Sequence, residues 1–190
     1  MCEYCGCQQI AVIKELTREH EAVVSAVGEV RRALDAGSVG AAAQACRRMS
    51  VLLGPHTVVE EEGLFPFMAP DFPAHVDALR AEHRSIDAVL REAADGTPED
   101  PTWPDRLLHA LHDLREHILK EQDGVFPAAL GVLDGEEWEG IEGIRARVGS
   151  GLTAHPEQHD HSDEHDHDHE LEHGHGRAAD ADAPSGRTPR

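Results

Sequence analysis

Apolar residues recur at alternating steps of three and four along four stretches of the chain, a pattern that predicts four amphipathic helices. The stretches cover about 10–35, 39–68, 72–94 and 103–130, and the polar loop 95–104 separates the last two. Helices that each bury one apolar stripe pack side by side, as in an antiparallel bundle. No alternating run of β-branched and aromatic residues indicates a strand, so the chain is predicted to be all-α.

Turn-forming residues divide the chain further. Gly37 is expected to end the first helix and Ser38 to cap the second. Pro55 cannot donate to the carbonyl of Val51, so we expect a kink in the second helix. The predicted organisation has four parts. A cysteine-containing segment covers 1–9, a helical bundle covers 10–135, and an accessory segment over 136–150 holds a short helix at about 136–148. A disordered polar tail covers 151–190.

Charge narrows the range of partners. The formal net charge is −20, and both the bundle and the tail carry an excess of acids. An acidic surface repels a phosphate backbone and an anionic lipid surface, so neither nucleic acid nor membrane is an expected partner. The N-terminal residues have neither the basic nor the apolar region of a secretory signal, and we expect a cytoplasmic protein. A monomer is compatible with the sequence, which does not determine the oligomeric state.

The sequence repeats a two-part motif. Leu16–His20 and Leu79–His83 both read Leu-x2-Glu-His, and His56–Pro66 and His117–Pro127 both read His-x3-Glu-x2-Gly-[Leu/Val]-Phe-Pro. The first histidine precedes the second by 36 residues in one copy and by 34 in the other. The four helices therefore form two halves, which we expect to be related by a pseudo-two-fold axis.

Six polar residues of this repeat fall on the apolar stripes of the helices. They are His20, His56, Glu60, His83, His117 and Glu121. An ionised carboxylate buried without a partner costs several kcal/mol, and the stripes offer no Lys or Arg to compensate. A pair of metal cations supplies the missing charge, and positions i and i+4 of a helix can reach one ion together. Imidazole and carboxylate ligands favour iron or manganese over copper. The alternative is an ordinary amphipathic helix with polar residues at its margin, which the repetition disfavours.

This ordered series resembles the hemerythrin-like, or HHE cation-binding, domain over about residues 10–135. The resemblance implies an up-down-up-down four-helix bundle with a non-haem di-iron centre that reacts with oxygen species. It further implies two iron ions per chain, bridged by carboxylates and by an oxo or hydroxo group. In that arrangement His20 and His56 bind one iron, His83 and His117 bind the other, and the carboxylates of Glu60 and Glu121 bridge them.

The chain departs from the oxygen-carrying hemerythrins in its ligand number. Those proteins have a fifth histidine four residues from one on the third helix, where this chain has Leu79 and Asp87 on either side of His83. Their last ligand is an aspartate five residues after the last histidine, and this chain has Gln122 at that position. Fewer ligands leave positions open on the ions, which favours reaction with peroxide, oxygen or nitric oxide, including a catalase-like activity, over simple oxygen carriage. Glu61 is a candidate for an additional ligand.

The two ends of the chain carry further candidate ligands. Cys2, Cys5 and Cys7 are close enough to share a metal or form a labile disulfide, and residues 155–176 interleave histidines with acids, a composition that binds Zn or Ni loosely. These features leave two alternative functions open: storage or trafficking of iron, zinc or nickel, and sensing of iron or redox state. Other residues are expected to be structural: Cys46, Trp103 and Trp138 in packing, and His75, His109 and His112 at the surface.

Overall fold

The computed structural model describes residues 9–154, and every regular element in that range is helical. The helices are α1 (Ala11–Asp35), α2 (Val39–Val58), α3 (Phe65–Met68), α4 (Pro73–Arg91), α5 (Trp103–Lys120), α6 (Phe126–Val132) and α7 (Gly135–Val148). One π-helical segment, Val59–Leu64, joins α2 to α3, and a second, Glu121–Val125, joins α5 to α6. A short 3₁₀ turn, Gly151–Ala154, follows α7. The predicted all-α class is confirmed.

Local signals end and start the helices where the sequence indicated. Gly37 adopts a left-handed φ of 72° after α1, and the amide of Ser38 donates to the carbonyl of Ala33 across the closing turn. These are the features of a glycine-terminated helix. The hydroxyl of Ser38 then accepts from the amide of Ala41 and caps α2. At α7, Asp134 and Glu137 form a reciprocal capping box.

Buried apolar side chains form two separate cores. Core A lies among α1, α2, α4 and α5 and includes Val27, Cys46, Met49, Leu90, Trp103 and Leu107. Core B lies among α1, α3, α4, α6 and α7 and includes Ile13, Leu16, Phe65, Leu79, Phe126 and Ile141. Between them along each long helical stretch lie the polar residues that the repeat singled out. Passing along the chain, α1 runs from core B to core A, α2 with α3 from A to B, α4 from B to A, and α5 with α6 from A to B.

The packing of the helices follows the repeat. Helix α1 packs along α2, and α4 packs along α5, so each repeat half is a helix pair. The halves meet where α2 contacts α4 and where α1 contacts α5. Helix α7 packs on the first π-helical segment and also contacts α1 and α2. Within residues 9–154, no helix combines the length and the apolar character needed to cross a membrane.

The chain after α7 packs on α2 close to Pro55. Helix α2 continues through Pro55, whose ring nitrogen has no hydrogen to donate to the carbonyl of Val51. The backbone of Gly151 closes on this point: an added Cβ would lie 2.5 Å from the Val51 oxygen and 2.5 Å from Cα of Leu52. Only glycine fits this contact without a shift of backbone, so the turn after α7 is fixed against the helix.

We expect Gly151→Ala to lower the free energy of unfolding by about 1–3 kcal/mol, because its methyl group overlaps the α2 backbone. Gly143→Ala is the matched control, since nothing lies within 4 Å of its added Cβ and the residue is exposed inside α7. That change should raise stability by about 0.5–1 kcal/mol. Urea denaturation of the metal-free protein measures both. Equal stability of Gly151→Ala and the unchanged chain would contradict the contact.

Candidate metal centre

The six polar residues predicted from the repeat come together between the two cores. Four of the helical stretches contribute: α1 and α4 give one histidine each, and α2 and α5 with their π-helical segments give a histidine and a glutamate each. All six side chains are at least nine-tenths buried. Their ligand atoms form two overlapping groups of four, each able to hold a metal ion, and the two groups share Glu60 and Glu121.

The π-helical segments determine where the carboxylates lie. Glu60 is the second residue of the first segment, and Glu121 is the first residue of the second. A π turn is wider than an α turn and is frequent at functional sites. Directly after these segments, Phe65 stacks on His83 and Phe126 stacks on His20, with ring centroids 5.7 and 5.8 Å apart. The repeated Phe-Pro therefore supports the histidine of the opposite half, a role that sequence reasoning missed.

Each carboxylate turns one oxygen toward each histidine pair. Oε1 of Glu60 lies 3.2 Å from Nε2 of His56, and its Oε2 lies 3.3 Å from Nε2 of His83. Oε1 of Glu121 lies 3.0 Å from Nε2 of His117, and its Oε2 lies 3.2 Å from Nε2 of His20. The arrangement is the same in both halves, as the pseudo-two-fold repeat predicted.

The nitrogen and oxygen atoms at the centre converge on one space. Both oxygens of Glu60, both oxygens of Glu121 and Nε2 of His117 are buried without an aligned hydrogen-bond partner among the described residues. Nε2 of His20 faces Nε2 of His56 at 3.0 Å. Buried polar atoms are normally hydrogen-bonded, and exceptions need a physical reason. Four imidazole nitrogens and four carboxylate oxygens directed at a common space form a donor set that fits cations of the iron, manganese or zinc type.

The other ring nitrogen of each histidine is held by a second side chain. Nδ1 of His56 lies 3.0 Å from Oε2 of Glu19, and Nδ1 of His117 lies 2.9 Å from Oε2 of Glu82. A carboxylate in this position accepts the Nδ1 hydrogen and leaves Nε2 free to bind a metal. Both glutamates belong to the repeated Leu-x2-Glu-His, so the signal was present in the sequence, although their role was not recognised.

The remaining two histidines are held from the opposite half of the repeat. Nδ1 of His83 lies 2.9 Å from Oε1 of Glu61, and Nδ1 of His20 lies 3.4 Å from the side-chain amide of Gln122. Glu61, a candidate additional ligand from the sequence, thus contacts the nitrogen that points away from the centre. It orients a histidine and is not among the grouped ligand atoms.

Without a cation, protons balance the charge of the cluster. Burial alone would lower the pKa of His56, but the carboxylates of Glu60 and Glu19 outweigh it and raise the pKa to about 10. For His117, burial is likewise outweighed by Glu121 and Glu60, and the pKa rises to about 9. Burial acts to raise the pKa of Glu60, but the neighbouring histidines hold it well below its usual range. Binding of a metal must therefore displace protons from the imidazoles.

A cavity of about 370 Å³ connects the cluster with solvent. All four histidines of the cluster line it, together with the exposed residues Glu62, Arg84 and Arg91 at the surface. Its walls are mainly apolar and include Leu53, Ile86, Leu90, Leu114 and Ile118. The cavity gives small molecules a route to the four histidines.

The structural residues named from the sequence lie as expected. Cys46 and Trp103 are fully buried in core A, and Trp138 packs at the edge of core B. Burial raises the pKa of the Cys46 thiol to about 12, which makes it a poor metal ligand. The surface histidines His75, His109 and His112 are all exposed. The N-terminal cysteines and the histidine-rich tail lie outside the described residues.

We expect the metal-free protein to lose about 2–5 kcal/mol of stability as the pH rises from 7 to 10. The pKa values of His56 and His117 are raised in the folded state. The contribution of these protons to stability is complete below about pH 6.5, the pKa of an unfolded histidine. It is lost as the pH rises through about 9 and 10, the pKa values in the folded state. Above that range two buried carboxylates remain without compensating protons. Thermal unfolding with a chelator at a series of pH values measures the loss.

Glu60→Gln combined with Glu121→Gln is the control, because it keeps the shape of the side chains and removes both charges. Its stability should fall by less over the same range, since only Glu19 and Glu82 remain to favour protonation of His56 and His117. Cys46 stays neutral throughout, as its pKa is about 12. An equal pH dependence of the two proteins would contradict the charge balance described above.

Comparison with known proteins agrees with the geometry of the centre. The family model described as the hemerythrin HHE cation-binding domain matches residues 11–129. No curated protein and no solved structure matches the chain significantly. The match covers more than half of the sequence and includes all six residues of the cluster. The chain therefore belongs to the hemerythrin HHE cation-binding domain family.

Proposed function

We propose that the chain binds two iron ions between its cores, one at His20 and His56 and one at His83 and His117. The observation that carries this proposal is that each of Glu60 and Glu121 directs one oxygen to each histidine pair. A carboxylate so placed can bridge two ions. Each ion then has four protein ligand atoms, two nitrogens and two oxygens.

The spacing of the ligand atoms supports the assignment. Metal–ligand bonds of about 2.1 Å meeting at right angles place two ligand atoms about 3.0 Å apart. The Nε2 atoms of His20 and His56 are 3.0 Å apart, and the nitrogen–oxygen distances within the halves are 3.0–3.3 Å. Bundles with inward glutamate and histidine side chains are a known setting for di-iron centres. Iron is therefore the metal that best fits the family and the donor set.

We propose that the fold around this centre is an up-down-up-down four-helix bundle spanning residues 10–135. The alternation of cores A and B along successive helical stretches supports that topology. So does the contact of each long stretch with two others. In this proposal α7 is an accessory helix, and the histidine-rich tail is a separate part of the chain.

We propose that the bound pair reacts with peroxide, oxygen or nitric oxide rather than carrying oxygen reversibly. Iron in a nitrogen and oxygen ligand field takes about six ligands, so four protein atoms per ion leave positions free on both. Leu79 is buried in core B and Asp87 pairs with Arg91, so neither position four residues from His83 supplies the missing ligand. When bound, iron supplies redox chemistry; the residues of the chain hold it, order the imidazoles and admit small molecules through the cavity.

The full chain made in iron-replete cells should contain about two iron atoms more than the Glu60→Ala/Glu121→Ala variant. Comparison with this variant subtracts any metal on the tail, which both proteins carry. Either single substitution should remove most of the difference, because each carboxylate is proposed to serve both ions. Metal analysis by mass spectrometry gives the numbers.

A chain ending at Ala154 should keep the same two ions and lose only loosely bound zinc or nickel. If one ion is found and Glu121→Ala does not change it, the bridging assignment fails. Loss of the iron on truncation would instead place the tail in the centre and favour a storage or trafficking role.

Iron-loaded protein should consume hydrogen peroxide and release one molecule of oxygen for every two of peroxide. Glu121→Ala should abolish the activity together with the iron. Leu79→His and Asp87→His, which offer the missing ligand, should each slow the reaction if they close a position. Stopped-flow spectroscopy follows the consumption of peroxide, and an oxygen electrode follows the release of oxygen. A stable oxygen adduct that releases oxygen under vacuum, with no peroxide consumed, would show a carrier instead.

A further inference from the structure

We propose that the two ion positions are not equivalent, and that Arg145 of α7 makes the His20–His56 position the slowly exchanging one. The His83–His117 position is then the one that exchanges readily with solvent. The inference rests on the proposed binding of two ions. It concerns residues outside the six ligands, and α7 itself lies beyond residues 11–129, the part matched by the family.

The comparison begins from two contacts that are alike. Glu19 holds Nδ1 of His56 at 3.0 Å, and Glu82 holds Nδ1 of His117 at 2.9 Å. Both glutamates directly precede a ligand histidine in the repeat. A difference between these two contacts must therefore come from what holds each glutamate.

Glu19 is wholly buried and is held by three further hydrogen bonds. Arg145 donates from Nη1 to Oε1 at 3.0 Å and from Nη2 to Oε2 at 2.8 Å, and the hydroxyl of Ser150 lies 2.6 Å from Oε1. A two-bond guanidinium–carboxylate pair fixes the carboxylate in orientation as well as in charge. Arg145 also donates to the carbonyl of Gly149 at 2.8 Å, so its own position is fixed.

Helix α7 is itself well anchored. Its capping box fixes its start, and Ile141 is fully buried in core B. An added Cβ on Gly63 would lie 3.2 Å from Ile141, which shows how closely α7 approaches the first π-helical segment. A rigid connection therefore runs from α7 through Arg145 and Glu19 to the ring of His56.

Glu82, in contrast, is held at the surface. Its side chain is 26% exposed, and its second partner is Lys120, which is 53% exposed. An exposed ion pair contributes little and exchanges with water. The other histidine of this half, His83, depends on Glu61, whose side chain is 34% exposed. Both outer partners of the His83–His117 position are thus open to solvent.

The consequence is a difference in metal release. Loss of the partner that orients a metal-binding histidine typically costs about 10–100-fold in affinity. A partner that is fixed and shielded from water keeps the imidazole in its binding orientation while the ion is absent. A partner exposed to water can exchange its hydrogen bond with solvent and does not hold the imidazole in this way. We expect the ion at His20 and His56 to leave about 10–100 times more slowly than the ion at His83 and His117.

The experiment uses the full chain loaded anaerobically with ferrous iron and challenged with an excess of a colorimetric ferrous chelator. The unchanged protein should release about one iron per chain in a fast phase and about one in a slow phase, after subtraction of the Glu60→Ala/Glu121→Ala background. His117→Ala should keep the slow phase, and His56→Ala should keep only the fast one. These two variants assign the phases to positions.

The variant Glu19→Gln/Arg145→Met removes both charges of the buried pair together, so neither is left uncompensated. It should speed the slow phase by about 10–100-fold and leave the fast phase unchanged. Glu82→Gln/Lys120→Met is its match in the other half and should change only the fast phase. The single change Arg145→Lys, with Glu19 in place, keeps the charge without the two-bond geometry. Its slow phase should have a rate between those of the unchanged chain and of Glu19→Gln/Arg145→Met. Thermal unfolding of each metal-free protein confirms that it folds.

Three results would overturn the inference. They are release of two irons in a single phase, acceleration of both phases together by Glu19→Gln/Arg145→Met, and an effect of Glu82→Gln/Lys120→Met on the slow phase. The absence of iron above the background in the unchanged chain would overturn the proposed function, and this inference with it. Two release phases whose rates do not change in the Arg145 variants would leave the proposed function standing and refute only the role of α7.

Discussion

The rest of the structure depends on one constraint, the complete burial of two carboxylates in a helical core. Glu60 and Glu121 are fully shielded from solvent, with apolar side chains above and below them. A buried anion costs several kcal/mol unless opposite charge comes with it. Protons on His56, His83 and His117, whose pKa values are raised by the neighbouring carboxylates, supply that charge, and a bound cation supplies it without them. The polar layer can therefore separate cores A and B only because its members compensate one another.

The repeat meets this constraint through contacts that cross between the halves. Each half contributes two histidines and one carboxylate, but each carboxylate faces both pairs of histidines. Phe65 and Glu61 from the first half hold His83, while Phe126 and Gln122 from the second half hold His20. Each half orders one of its histidines through its own glutamate, but neither half orders both alone. The centre belongs to the pair of halves, which explains why the whole motif recurs and not the ligands alone.

The helices and the cluster were predictable because both depend on spacing. Steps of three and four placed His20 and Glu60 among apolar residues, and the structure brings them together there. The π-helical segments left no such trace, since a single wide turn hardly changes the pattern of apolar residues. Spacing also could not show that Glu61 meets the outer nitrogen of His83, because it fixes a face of the helix and not the direction of an atom. Arg145 was invisible because its partner Glu19 lies 126 residues away.

The asymmetry of the outer partners follows from one position of the repeat. Lys120 follows His117 by three residues on α5 and pairs with Glu82 on α4. Three residues after His56 stands Val59, a fully buried member of core B that has no hydrogen bond to offer from its side chain. Glu19 is more deeply buried than Glu82, so it needs donors more. Arg145 and Ser150 provide them from outside the repeat. Where the second half has Lys120, the first half has an apolar side chain of core B, and α7 supplies the cation that Glu19 needs.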